Sequence, residues 1–130
     1  MVEIPAEYHD LFEKQSFLSL GTLTPDGVPH VTPVWVDYDG EHLLVNTARG
    51  RRKEKNLRQN ADVGGCILDP DDPYRYVGFQ GDVVELTTDG AVEHIDELAR
   101  RYMDVEEYPH HGEEGGERVL VRIEPTRVFG

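Results

Sequence analysis

Residues 16–47 read SFLSLGTLTPDGVPHVTPVWVDYDGEHLLVNT, and the fold turns on how this stretch is parsed. Phe17, Ser19, Gly21 and Leu23 alternate with Leu18, Leu20 and Thr22, the period of a strand with two unlike faces. TPDG at 24–27 is a turn with a mechanism: Pro25 presets φ and Gly27 tolerates a positive one. A second strand is predicted over 28–38. Asp39-Gly40 is a strong hairpin signal, and EHLLVNT (41–47) follows as a third strand. Two hairpins in about thirty residues predict an antiparallel meander.

Outward from the meander, residues 5–14 read as a short helix with Tyr8, Leu11 and Phe12 on one face, and residues 51–60 as another. Strands are predicted over 62–69 and 74–87, with Gly78 and Gly81 as sites of a bulge or of close backbone approach. Residues 87–103 are the strongest helix, with Val92, Ile95, Leu98, Ala99 and Tyr102 as its apolar stripe. Residues 104–117 read as an acidic, Gly-rich loop, and RVLVRIEP and TRVFG as two closing strands. Short strands at hairpin spacing, with helices between them, predict a mainly β chain: an antiparallel barrel with helices packed outside.

The chain has 130 residues, which suits one domain over 1–130, and a formal charge of −13. Only three lysines stand against 26 acidic residues, and the acids are spread along the chain. Such a coat suits a salt-adapted protein and argues against nucleic acid as a partner. No signal peptide and no membrane-length apolar run are present, so a cytoplasmic location is expected. Cys66 is the single cysteine and is expected as a core thiol; the six histidines lack metal-ligand spacing, so no metal site is expected.

One segment breaks the acidic pattern. In NTARGRRKEKNLR (46–58), six of the 13 basic residues fall within ten positions, opposed only by Glu54. Arg49/Lys53 and Arg51/Lys55 are like charges at i,i+4, costing about 0.2–0.5 kcal/mol each in a helix. Cations in a first turn also oppose the helix dipole. Gly50 precedes the helix, where backbone N–H groups can meet a ligand, so the segment predicts a phosphate site. Asn46 and Thr47 end the preceding strand and add hydrogen-bonding capacity. No P-loop or dinucleotide fingerprint is present. Pro33 belongs at a sheet edge or bulge, because it cannot donate to a ladder. An anion site on a barrel with no nucleophilic triad is the pattern of an enzyme whose cofactor carries the chemistry.

Taken together, T-P-D-G, V-T-P-V-W, N-T-x-R-G-R-x-K and D-P-x-x-P-Y-R-Y resemble the pyridoxamine-phosphate-oxidase-like flavin-binding split barrels, most closely their short branch that uses the deazaflavin coenzyme F-420. The resemblance implies a six-stranded split β-barrel that forms a homodimer, with a cofactor in each cleft between subunits. It implies that Arg51, Arg52 and Lys53 hold the cofactor phosphate with help from Asn46 and Thr47. Thr32, Pro33 and Val34 then lie along the ring system, and Tyr76 falls near the ring or ribityl chain. It implies hydride transfer to a small unsaturated, quinone-like or tetrapyrrole acceptor, with no side chain assigned as catalytic. The oxidase's C-terminal Arg and His have no counterpart after RIEPTRVFG, so pyridoxamine phosphate oxidation is not expected. FMN is the alternative cofactor, and a non-catalytic flavin or deazaflavin binder the alternative role. The extra charges of Arg49, Lys55 and Arg58 favour F-420, whose tail continues past the phosphate as an anionic chain.

Overall fold

A computed structural model describes residues 2–111 and 116–130. The chain opens with a 3₁₀ helix, Ala6–Phe12, and runs through β1 (Leu18–Leu23), β2 (Pro29–Val34), β3 (Asp37–Tyr38) and β4 (Leu43–Ala48). Helix α1 (Arg52–Gln59), β5 (Asp62–Asp69), β6 (Asp72–Thr87), α2 (Ala91–Met103) and β7 (Arg118–Phe129) complete it. All pairings are antiparallel, in the order β2-β1-β5-β6-β7-β4-β3.

That order explains the curvature. β2 and β3 lie at opposite edges of the sheet, yet only Trp35 and Val36 separate them in sequence. Three peptide steps span at most roughly 11 Å. The sheet must therefore curl until its edges nearly meet, giving a split barrel. The stretch 28–38, expected as one strand, is thus two, broken where the chain passes from one edge to the other. The two strands expected after residue 117 are a single strand, β7. One strand divided and two joined leave the count at seven, as the sequence predicts; the six strands that the resemblance implies are joined here by β3, a two-residue edge.

Alternation sorts the side chains as predicted in β1: Leu18, Leu20 and Thr22 are buried, while Ser19, Gly21 and Leu23 are half-buried. Leu18, Leu20, Leu43, Val45, Ile67, Val77, Phe79, Val121 and Ile123 belong to one core with Leu57 of α1 and Leu11 of the 3₁₀ helix. β4 is buried on both faces, because Leu44 on its other face meets Ala91 of α2 and Leu120 of β7. Helix α2 thus covers the β4–β7 surface. Its buried stripe is Ala91, His94, Ile95, Leu98 and Ala99; Val92, expected there, is 48% exposed. Gly90 precedes the helix at φ +75°, which sets its start later than the expected residue 87. Cys66, expected in the core, is half-buried on the outward side of β5, where burial pushes its thiol pKa up.

Both glycines singled out in β6 meet the neighbouring strand. A Cβ on Gly81 would lie 2.5 Å from the Glu124 carbonyl oxygen, and one on Gly78 would enter the Phe129 ring. The β6–β7 register shifts between Gln80 and Gly81 and again between Val83 and Glu85, so Gly81 borders a bulge.

Candidate functional site

β4 ends at Ala48 and the chain turns through Gly50, at φ +94°, into α1. The turn is held from inside. Glu54 is 2% exposed and accepts from the Gly50 N–H at 2.8 Å and from Arg58 Nη2 at 2.8 Å. Burial raises the Glu54 carboxyl pKa, but the Arg58 guanidinium and the Gly50 N–H outweigh it and hold the group below the usual carboxylate value. Two sequence expectations are corrected here. The Gly50 N–H is bound to Glu54 and is not available to a ligand. Arg58 is paired with Glu54, so its charge is not one that a ligand tail can claim in full. Arg49 Nε lies 3.8 Å from Glu117 Oε1.

Basic side chains of this segment nevertheless reach a cleft of about 330 Å³. On one side stand Arg51, the residue preceding α1, and Lys53, 7% exposed in its first turn. On another stand Pro33 and Val34, where β2 forms the sheet edge, as the proline required. Asn46 of β4 and Arg118 of β7 line the floor they share, and Ile95, Leu98 and Met103 of α2 supply an apolar wall. The volume sits at the small end of the range for small-molecule sites.

An aromatic group frames the opening. Trp35 stacks on Tyr102, with ring centroids 5.1 Å apart and planes 13° from parallel, and Tyr108 meets Trp35 edge-on at 6.2 Å. The Tyr102 hydroxyl accepts from the Val36 N–H at 3.2 Å and donates to the Ser16 carbonyl, and burial pushes its pKa up. This contact ties α2 to the β2–β3 link. Asp96 of α2 accepts from the Tyr108 N–H at 2.8 Å and pairs with His111 Nε2 at 2.7 Å, bringing the segment after α2 back beside the cleft.

Of the nine residues expected at the site, Pro33, Val34, Asn46, Arg51 and Lys53 line this one cleft. Thr32, Thr47 and Arg52 neighbour them in sequence but do not line it, and Arg52 is exposed. The Thr32 and Thr47 Oγ1 atoms are buried and have no hydrogen-bond partner among the described residues. Tyr76 lies on β6 opposite Leu68 and does not line this cleft. Phe17, Tyr108, His110 and Arg118 also line the cleft, although the sequence reading placed none of them at the site. Arg118 comes to Asn46 from 72 residues away, through the pairing of β7 with β4, and no local motif marks it. Among the described residues no group of three His, Cys, Asp or Glu side chains could hold a metal ion. Part of the loop expected over 104–117, residues 112–115, lies outside the described residues.

A curled antiparallel sheet whose two edge strands nearly meet defines a split-barrel fold, and the basic, aromatic-lined cleft beside its edge is the candidate site. The pyridoxamine 5'-phosphate oxidase family profile matches residues 4–130, and the chain belongs to that family. Among solved structures, one described as an F420 reductase is 31% identical, with TM-score 0.83 over 97% of this chain and 98% of its own. A conserved hypothetical protein of Mycobacterium tuberculosis is 27% identical, with TM-score 0.74 over 98% of this chain and 84% of its own. The heme storage protein HutZ of Vibrio cholerae, 14% identical, shares the fold with TM-score 0.67 over 98% of this chain and 94% of its own. No curated protein matches the chain significantly. The fold therefore serves both a reductase and a storage protein. No helix among the described residues is long and apolar enough to cross a membrane.

Proposed function

We propose that the protein is an oxidoreductase that binds coenzyme F-420 in this cleft and uses it to reduce a small planar, unsaturated, quinone-like or tetrapyrrole acceptor. One observation carries the reading: the cleft brings the basic start of α1 together with the β2 edge at Pro33 and Val34. A phosphate on Arg51 and Lys53, with the exposed Arg52 between them in sequence adding positive potential, leaves a ring system to lie along the β2 edge at Pro33 and Val34, next to Thr32. The likeness to an F420 reductase at 31% identity supports deazaflavin over other ring systems.

When bound, the reduced deazaflavin supplies a hydride. The chain's own part is to anchor the phosphate away from the reacting carbon, to fix the ring against a strand edge and to exclude water with Trp35 and Tyr108. The protein acts as a homodimer in this reading, and Tyr76 is left without a role in the cleft of its own subunit. Steady oxidation of reduced F-420 by a quinone-type acceptor, followed by absorbance, tests the assignment. Binding without turnover across quinone and tetrapyrrole acceptors would make the protein a cofactor carrier.

A second reading, FMN as cofactor, gains from the Arg58–Glu54 pair. With that charge engaged, the case for a long anionic tail is weaker, and a single phosphate suits Arg51 and Lys53 as well.

A further inference from the structure

One wall of the cleft belongs to a segment that the core does not hold. α2 stops at Met103, and Asp104 follows at φ +57°, the only residue other than glycine with a positive φ among those described. The chain reverses there and runs from Val105 to His111 with no helix or strand of its own. From Asp104 to His111 every residue except Tyr108 is exposed, and none of the described core residues comes from this stretch. Segments with so few buried apolar contacts open locally at low cost.

What holds the segment is chiefly one carboxylate. Asp96 is half-buried on α2, and its Oδ1 accepts from the Tyr108 N–H at 2.8 Å and meets His111 Nε2 at 2.7 Å. Burial raises the Asp96 carboxyl pKa, but the Tyr108 N–H and His111 outweigh it and hold the group below the usual carboxylate value. It therefore accepts as an anion at neutral pH, which makes both contacts strong ones. Arg100, one turn along the helix, adds a bond from its Nε to the Glu106 carbonyl at 2.9 Å.

The helix that carries Asp96 is fixed to the sheet at both ends. Near its start, Asn46 Nδ2 of β4 donates to the Ala91 carbonyl at 2.7 Å and lies 3.2 Å from His94 Nδ1. Near its end, the Tyr102 hydroxyl accepts from the Val36 N–H. The post is rigid and the segment is not. Tyr108 is the part of the segment that matters to the cleft: its ring lines the cleft, stands edge-on to Trp35 and has the Arg118 guanidinium 5.3 Å from its centroid.

We infer that Asp96 is a latch: it holds Val105–His111 as a strap with the Tyr108 ring closed against Trp35, and ligands pass in and out of the cleft when the two contacts to this carboxylate open. Asp96 is a positioning residue, acting through Tyr108. A strap of this kind keeps water from a bound ligand and sets the rate of its exchange. The inference rests on the proposed function for the identity of the ligand, whereas the latch itself can be read in the free protein.

Trp35 is the chain's single tryptophan, so acrylamide quenching of its emission reports how far Tyr108 covers it. Wild type, D96A, D96N and Y108A are compared without ligand, with thermal melts to confirm folding. E97A, which removes an exposed carboxylate from the same helix, is the control. D96A is expected to raise the quenching constant about twofold, to the Y108A value, because the open state becomes the populated one. D96N keeps an oxygen for the Tyr108 N–H and is expected to fall between, and E97A to match wild type. Stopped-flow mixing with FMN and with F-420 then reads the exchange. D96A is expected to speed association and dissociation together by about tenfold, the worth of one charged hydrogen bond, with the dissociation constant little changed. A general loss of structure would slow association. A protein in which D96A unmasks Trp35 but neither cofactor binds keeps the latch and removes the cofactor reading. Equal quenching in wild type, D96A and Y108A, or a folded D96A that binds cofactor no faster than wild type, would overturn the inference. Should D96A fail to fold, D96N carries the same comparison.

Discussion

Two buried polar side chains near the cleft make separate demands on stability. Glu54 satisfies the Gly50 N–H and Arg58 from within the first turn of α1, so E54A removes the acceptor for both. The expected cost is about 2 kcal/mol, read as a lower urea midpoint at unchanged slope; an unmoved midpoint would show that water replaces the carboxylate without loss. His94 sets a pH window. Burial, the largest influence, holds its imidazole down to about 4, from an ordinary 6.5. Below 6.5 the unfolded chain takes up a proton that the folded chain refuses until about 4. Stability is therefore full above pH 6.5 and falls as the pH drops from 6.5 to 4, by about 3 kcal/mol in all. H94Q, which keeps an acceptor for Asn46, is expected to flatten the urea midpoint across that window. A midpoint equally steep in H94Q would assign the loss to other groups. At the cofactor, K53A is expected to weaken binding by about 2 kcal/mol, measured as a dissociation constant.

The hairpins were legible because their causes are local: Asp39-Gly40, and Pro25 with Gly27, dictate turns whatever surrounds them. The break at Trp35 and Val36 was not, because it is imposed by closure of the whole sheet. Pro125 made β7 look like two strands. In the fold it pairs with Gly81 beside the bulge, where a missing N–H is tolerated. Gly81 was legible as a site of close approach, and G81A is expected to cost 1 kcal/mol or more, because the Glu124 backbone must move. A melting temperature equal to wild type would place the bulge elsewhere. The α2 stripe was misread at one position, since Ala91 and His94 occupy the buried face that hydropathy assigned to Val92. The site followed the same division. Arg51, Lys53 and Asn46 stood together in one basic segment, whereas Arg118 was placed by strand pairing that no window of sequence contains.

For the molecule as a whole, the acidic surface and the basic cleft are two parts of one charge pattern. The chain carries −13, and screening should relieve its self-repulsion, so the melting temperature is expected to rise with sodium chloride toward molar concentrations. A melting temperature that falls instead would contradict salt adaptation. Sedimentation is expected to show a homodimer, with Val31 at 61% exposure and Leu68 at 44% among the outward apolar residues that need cover. The cleft between the β2 edge and α1 is proposed to hold a phosphorylated flavin-type cofactor. This is tested most directly by titrating the protein with F-420 and with FMN while following Trp35 emission. Saturable quenching is expected at micromolar F-420, with weaker quenching by FMN, and K53A is expected to need about thirtyfold more of either cofactor. Unchanged Trp35 emission with both cofactors would contradict it.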